Sequence, residues 1–389
     1  MNIVTLEMLK KWRRDLHANP ELSMEEFETK EYIKNILLKN SIEYKEVLAT
    51  GLIVSFKSNE ENKKEDTIIF RADIDALPIH EENKIEFRSK NDGIMHACGH
   101  DGHTAMLIGA VLETKNYYEN NKVRFNTMFV FQPAEETIGG AGLLVTDYKD
   151  YFSKYNILAS YALHLNPDYP ENIIISKEKE IMASATEFRV DIKGKSAHVG
   201  LKYTGIDALN VASIFYQELL KLNTLNLKAR DTNIIHVGKM WGGNALNIVA
   251  QSANLEGTIR TYKTSNYNTI KENILSIAEG LEKITNTKIS VDFGEGYDAV
   301  FNNKEEYEII KKVCKAENIE YKELPEAYLY GEDFSAFTKI STINYSFLGI
   351  RNEEKSYVSG LHTPTFNFDE NILETGVKYY MGILKYYNK

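Results

Sequence analysis

The sequence predicts an α/β protein of two domains, one built on a mostly parallel central sheet and interrupted by a smaller insert of ferredoxin-like plan. Three observations predict it. Apolar strand-like runs alternate with helical periodicity in the outer parts of the chain, the pattern that places strands parallel with helices across them. A middle stretch reads β-α-β-β-α-β, the split βαβ order. The length of 389 residues is long for a single hydrophobic core.

Leu6, Leu9, Trp12 and Leu16 recur at helical spacing, and Asn19-Pro20 stops that helix. A second helix is expected over 25–40, with Phe27, Tyr32, Ile33, Ile36 and Leu37 on one side. Strands are expected over 51–57 and 67–72, the second nearly all apolar before Asp73, like a buried strand with a polar tip. Residues 104–118 read as a helix and 125–131 as another buried strand. The insert, 183–292, carries strands over 187–192, 233–239, 254–262 and 288–293, with helices over 205–222 and 267–284. Segments 1–182 and 293–389 then form the first domain. In parallel sheets functional residues gather at the carboxyl ends of strands. Asp73, Asp75, Glu135, Glu136 and His164 all follow apolar runs closely.

Composition narrows the function. The chain is 43% hydrophobic and 26% charged, ordinary for a globular protein. Its net charge of −10 argues against a nucleic-acid groove. The start has no apolar signal core, and no apolar run is long enough for a membrane span. Two distant cysteines, Cys98 and Cys314, do not form a disulfide framework, so a cytoplasmic setting with an intact thiol is expected.

That thiol lies in MHACGHDGH, residues 95–103, which crowds one cysteine, three histidines and an aspartate into a short stretch punctuated by two glycines. Such a cluster is poor core material, because its polar groups would need buried partners. It reads as a metal site or as a cysteine nucleophile. On an extended loop, Cys98 and His100 would reach one ion, and thiolate with imidazole suits zinc, cobalt, nickel or manganese over calcium or magnesium. A nucleophile would need a base and an oxyanion hole but no further ligands. Further ligands are present: Glu135 and Glu136 in FQPAEE, His164 in ALHLNP, and His362 in GLHTP. Adjacent carboxylates at a strand end repel unless positive charge is nearby, although an exposed helix start would also favour them. Asp73 and Asp75 suit an orienting role toward ligating imidazoles. His198, Asn247 and Arg260 in the insert suit anion handling.

Together, RRDLHANPELS, FRADIDALP, MHACGHDGH, FQPAEE, GKSAHVG and YGEDFSAF resemble, in order and over essentially the whole chain, the aminoacylase-like metal-dependent amidohydrolases. These include hippurate hydrolases, N-acetyldiaminopimelate deacetylases and auxin-conjugate hydrolases, a branch of a larger metallopeptidase superfamily. The resemblance implies a two-domain metallopeptidase-like fold with an inserted lid. It implies two divalent ions (Mn2+, Zn2+, Ni2+ or Co2+) held by Cys98, His100, Glu136, His164 and His362. It implies Glu135 as general base, His198 as a holder of the scissile carbonyl oxygen, and Asn247 with Arg260 as the grip on the substrate carboxylate. The superfamily's peptidases carry His-x-Asp where this chain has Asp73-Ile74-Asp75, so Cys98 and His100 stand in for the missing imidazole.

The activity this implies is hydrolysis of the amide of an N-acyl-L-amino acid, acetyl or benzoyl in type. The rivals are a dipeptidase or carboxypeptidase on small peptides and a cysteine hydrolase using Cys98. The expected partners are a small-molecule substrate and a second copy of the chain, joined through the insert's exposed helix and sheet edge. No nucleic acid and no membrane are expected.

Overall fold

The computed structural model describes residues 3–61, 64–137, 139–222, 227–228 and 230–389. The chain forms two compact units. The larger comprises Met1–Ile181, Phe301–Glu326 and Asp333–Lys389; the smaller comprises Met182–Val300 and Ala327–Glu332. The short return at 327–332 is held in the smaller unit by hydrogen bonds from the Ala183 amide to the Tyr328 carbonyl (3.0 Å) and from the Tyr262 hydroxyl to the Ala327 carbonyl (2.6 Å). No hydrophobic period marks it.

The larger unit opens with α1 (Leu6–His17), α2 (Phe27–Lys39), β1 (Tyr44–Val47), β2 (Gly51–Phe56) and β3 (Asp66–Asp73). It continues through α3 (His100–Asn120), β4 (Asn126–Gln132), α4 (Gly140–Asp147), α5 (Lys149–Phe152), β5 (Asn156–Pro170), β6 (Ile173–Ser176) and β7 (Lys179–Met182). The smaller unit holds β8 (Ser184–Lys193), α6 (Ala208–Leu222), β9 (Asn233–Gly242), β10 (Ser252–Thr261), α7 (Thr264–Thr285) and β11 (Lys288–Phe293). The chain ends with β12 (Val300–Asn302), α8 (Lys304–Ala316), β13 (Glu320–Glu323), β14 (Thr342–Arg351) and α9 (Leu373–Tyr387).

Eight strands of the larger unit form one sheet in the order β1-β2-β4-β3-β5-β14-β6-β13. The centre, β4-β3-β5-β14, is parallel, and β1 pairs antiparallel with β2 toward one edge. The mixed α/β fold with a largely parallel sheet is the class the alternation predicts. The parallel register of β3 and β4 sets Asp73 opposite Gln132. Asp75 and the Pro133–Glu136 turn therefore leave the sheet side by side at its carboxyl end.

Helix α3 is buried on all sides from His100 to Thr114. A helix without a polar face belongs inside a core. It packs between α1 and α9, with Met106, Leu107, Ile108 and Leu112 in one cluster with Leu9, Leu373 and Val377. Each such side chain removed from water stabilises the fold by about 1.5–3 kcal/mol. The helix begins earlier than the apolar period suggests. Gly99 caps it in the left-handed region at φ 86°, and a Cβ there would lie 2.9 Å from Leu165 Cδ1. His100 is thus the first helical residue and not part of an extended loop, which corrects the sequence reading. The two glycines of GHDGH had masked the helical start.

The smaller unit is a four-stranded antiparallel sheet in the order β11-β8-β10-β9. Numbered within the unit, this is 4-1-3-2, the order of the split βαβ plan. Its core lies under α6 and α7, with Phe188, Val190, Phe215, Leu255 and Ile274 buried together.

Candidate metal centre

The expected ligand residues of the larger unit converge. Cys98 precedes the Gly99 cap and His100 opens α3. Glu136 lies in the turn after β4, and His164 sits inside β5 opposite Phe347 of β14. His362 is held against the cluster by its main chain, which donates to the Ala97 carbonyl at 2.9 Å. Cys98 Sγ lies 3.5 Å from His164 Nε2. Glu136 Oε1 lies 3.3 Å from His362 Nε2 and 3.8 Å from His100 Nε2. The donor atoms form overlapping groups within 4.8 Å: Cys98, Glu136 and His362; His100, Glu135 and Glu136; and Asp73 with three histidines.

Hydrogen bonds decide which nitrogens are available. His103 spends both: Nδ1 donates to Asp73 Oδ1 at 2.6 Å, and Nε2 accepts the Leu165 amide at 2.9 Å. It is a prop and not a ligand. His164 donates from Nδ1 to the Leu165 carbonyl at 2.7 Å, which turns the Nε2 lone pair toward Cys98. His100 Nδ1 faces only acceptors, the Asp75 carbonyl at 2.9 Å and Asp75 Oδ1 at 3.2 Å. Among the described residues, its Nε2 and Glu136 Oε1 are buried without a hydrogen-bond partner. Unpartnered buried polar atoms are costly, and a cation between them answers both.

Charge points the same way. Burial works against a charged His100, yet Asp73, Asp75 and Glu136 outweigh it and raise its pKa to about 10, so these acids favour positive charge at this place, which an ion supplies when it displaces the Nε2 proton. Burial lowers His164 well below the ordinary histidine value, reinforced by His103, so the ring is neutral. Burial, with Glu136, Glu135 and Asp73 around it, pushes the Cys98 thiol well above its ordinary value. A free thiolate nucleophile is therefore disfavoured, whereas a thiolate beside a divalent ion is the usual zinc-type donor. The residues present fit a metal centre.

Two backbone features shape the site. Ala134, just before the glutamate pair, has φ 58°, and its amide donates to Glu26 Oε1 at 2.9 Å. His362 has φ 57°. Left-handed backbone costs a residue with a Cβ about 1–2 kcal/mol, and such strain gathers at functional positions. Glu135 is buried, with ligand-competent oxygen near His100 and Glu136. Asp75 takes the Glu136 amide (3.0 Å) and the Ser23 hydroxyl (2.7 Å) while facing His100, so one carboxylate ties two ligand segments together.

The remaining expected residues lie in the smaller unit. His198 and Asn247 come together there: an isolated bridge pairs His198 with Ile248, and the Val199 amide donates to the Asn247 carbonyl at 3.0 Å. Both are exposed. His198 Nδ1 accepts the Gly200 amide at 3.1 Å, which leaves Nε2 as the donor of the neutral ring. Arg260 lies on β10 opposite Ala185 and Ile234. Burial lowers its pKa, opposed by Glu187 and Tyr297.

Sequence reasoning missed two buried networks. Arg71 donates to Asp73, Gln132 and Asp333, each at 2.7 Å. A lone arginine inside the apolar run TIIFRA was the available signal, because a buried cation requires partners. The other lies beneath Asp101, whose Oδ2 accepts Arg13 Nε at 3.0 Å and His17 Nδ1 at 2.8 Å. It fixes RRDLH of α1 to the start of α3.

Residues 69–386 match the model of Peptidase family M20/M25/M40, and the chain belongs to that family of hydrolases. It is 39% identical to an uncharacterized hydrolase of Staphylococcus haemolyticus over 385 residues, 99% of each chain. Among solved structures, a Staphylococcus aureus chain superposes with TM-score 0.91 at 25% identity, covering 100% of both. The YXEP protein of Bacillus subtilis, a dinuclear metal-binding peptidase of the M20 family, superposes with TM-score 0.83 at 28% identity, covering 97% of both.

Proposed function

We propose that this hydrolase cleaves the amide of N-acyl-L-amino acids, with Cys98, His100, Glu136, His164 and His362 holding two divalent ions. The observation that carries the reading is the pairing of buried His100 Nε2 and Glu136 Oε1, neither with a hydrogen bond among the described residues, beside a second carboxylate, Glu135. The ions, when bound, supply Lewis acidity that polarises a carbonyl and lowers the pKa of water from 15.7 to about 7.

Glu135 takes a proton from the attacking water as its oxygen bonds to the acyl carbon. As the C–N bond breaks, Glu135 returns that proton to the departing nitrogen. The products are a carboxylate and a free amino acid. His198, with Nε2 as donor, stabilises negative charge on the carbonyl oxygen, a contribution of about 2.7–4 kcal/mol for one such donor. Arg260 grips the substrate carboxylate through its fork of N–H groups, with Asn247 beside it.

A panel of acetyl-, benzoyl- and aminoacyl-amino acids tests the reading and separates it from a peptidase. Arg260→Ala lowers kcat/KM at least tenfold on free-carboxylate substrates and little on their amide-capped analogues. Equal losses on both would remove Arg260 from the grip. A cysteine hydrolase is the weaker reading, since the Cys98 thiol is held protonated by burial and neighbouring acids.

The same reading includes a homodimer through the smaller unit, whose edge strand β9 exposes Met240 and Trp241. A monomer by sedimentation at micromolar concentration would refute it. A reducing, cytoplasmic setting suits Cys98 and Cys314, both free and buried.

A further inference from the structure

The carboxylate of Asp73 lies at the metal centre but is already engaged. Its Oδ1 accepts His103 Nδ1 at 2.6 Å, and its Oδ2 accepts Arg71 Nη1 at 2.7 Å while lying 3.7 Å from His100 Nε2. Oδ2 is thus within reach of an ion held by His100, and Arg71 occupies it. The guanidinium is itself clamped. Nε donates to Gln132 Oε1 and Nη2 to Asp333 Oδ1, each at 2.7 Å. Asp333 Oδ2 accepts Gln132 Nε2 at 2.7 Å and the Ala141 amide at 2.9 Å. Arg71, Asp73 and Asp333 are all at least 98% buried.

We propose that Arg71 is a positioning residue for the metal centre: it fixes Asp73 as a prop for His103, keeps that carboxylate out of the ligand set, and ties His164 to Asp333. The relay runs Asp333, Arg71, Asp73, His103 and the Leu165 amide, which is the residue after His164. Each link is a short, buried hydrogen bond, and three involve charged groups. Arginine suits the place because its planar fork meets three acceptors in fixed directions, which a lysine ammonium does not. Removing it takes the guanidinium from two buried carboxylates, and Asp73 Oδ2, no longer held, then turns to the nearest cation. This inference rests on the metal reading of Cys98, His100, Glu136, His164 and His362.

The test uses the full chain loaded with Co2+, comparing wild type, Arg71→Met and the double variant Arg71→Met with Asp73→Asn. The readouts are the visible Co2+ spectrum and Co2+ affinity by chelator competition, with the metal-free melting temperature measured alongside. Arg71→Met lowers affinity about 10–100-fold, the usual effect of losing an outer partner of a metal site, and weakens the visible bands as Asp73 joins the ion. The double variant, with no second anionic oxygen at position 73, recovers the wild-type spectrum but not the affinity, because the links through Arg71 are still missing. A fully loaded Arg71→Met with the wild-type spectrum would overturn the inference, as would a double variant whose spectrum is no closer to wild type than the single's. If Arg71→Met does not fold, Asp333→Asn is read instead. It loses Co2+ affinity several-fold, and unchanged affinity in folded protein overturns the proposal. Wild-type chain that takes up no Co2+ would refute the metal reading itself, a separate outcome.

Discussion

Replacing Asp75 by asparagine probes how the fold aims its ligands. Oδ2 of Asp75 accepts the Ser23 hydroxyl at 2.7 Å and the Glu136 amide at 3.0 Å, and Oδ1 faces His100 Nδ1 at 3.2 Å. Asparagine keeps one acceptor. Placed toward Ser23 and Glu136, it sets its NH2 against the His100 N–H. One charge-assisted bond is lost and two become neutral. With about 1.5–3 kcal/mol for a bond to a charged group and about 1 kcal/mol for a neutral one, the metal-free fold loses about 2.5–7 kcal/mol. His100 retains the Asp75 carbonyl at 2.9 Å, so the ring stays but is less firmly directed. Metal affinity falls about 10–100-fold, which is about 1.4–2.8 kcal/mol. Denaturant unfolding of the chelated protein reads the first quantity, and competition with a chromogenic chelator reads the second. Ser23→Ala is the control and shifts affinity less than about threefold, since it removes one bond to Oδ2, the Asp75 oxygen that does not face His100. A folded Asp75→Asn with affinity within twofold of wild type would refute the idea that Asp75 directs His100 toward an ion.

Glu135→Gln retains metal but loses about 10²–10⁴ of kcat, the usual worth of a positioned base; full activity in that variant would remove Glu135 from proton transfer. Gly99→Ala combines a left-handed φ of 86° with a Cβ 2.9 Å from Leu165 Cδ1, and it destabilises by about 2–4 kcal/mol. A loss below about 0.5 kcal/mol in urea unfolding would contradict that geometry. His17 is buried, which lowers its pKa, but bonds to Asp101 and Glu81 raise it above the ordinary value overall. A raised folded-state pKa gives stability that is complete below about pH 6.5 and is lost as pH rises through the folded pKa. The advantage of wild type over His17→Gln therefore shrinks between pH 6 and 9, by at most about 1.4 kcal/mol per pH unit. An advantage that grows over that range would contradict the assignment.

Much of this molecule is legible from residues alone where periodicity is strong. The apolar run ending at Asp73 is β3, and the run ending near Phe131 is β4. The middle elements fall where alternation and amphipathicity put them, because a half-buried sheet and a one-faced helix leave clear periods. His100 is different. Two glycines and a polar first turn hide the start of α3, and only burial on all sides makes that sequence helical. His164 reads as following a strand, yet β5 runs on to Pro170 around it. At the site, residue types name the donors, but bonding selects among them. Nothing in MHACGHDGH distinguishes His100, with one open nitrogen, from His103, with none. The Arg71 network joins segments more than 250 residues apart in sequence, and no local pattern encodes that pairing.

The central claim is that a metal centre built on Cys98, His100, Glu136, His164 and His362 drives amide hydrolysis. The most direct measurement is release of free amino acid from N-acetyl and N-benzoyl amino acids by purified protein before chelation, after it, and after adding back zinc, manganese, nickel or cobalt. Turnover disappears with the chelator and returns with an added ion. Turnover that survives complete removal of metal, or none on any acyl amino acid by the fully loaded protein, would contradict that claim.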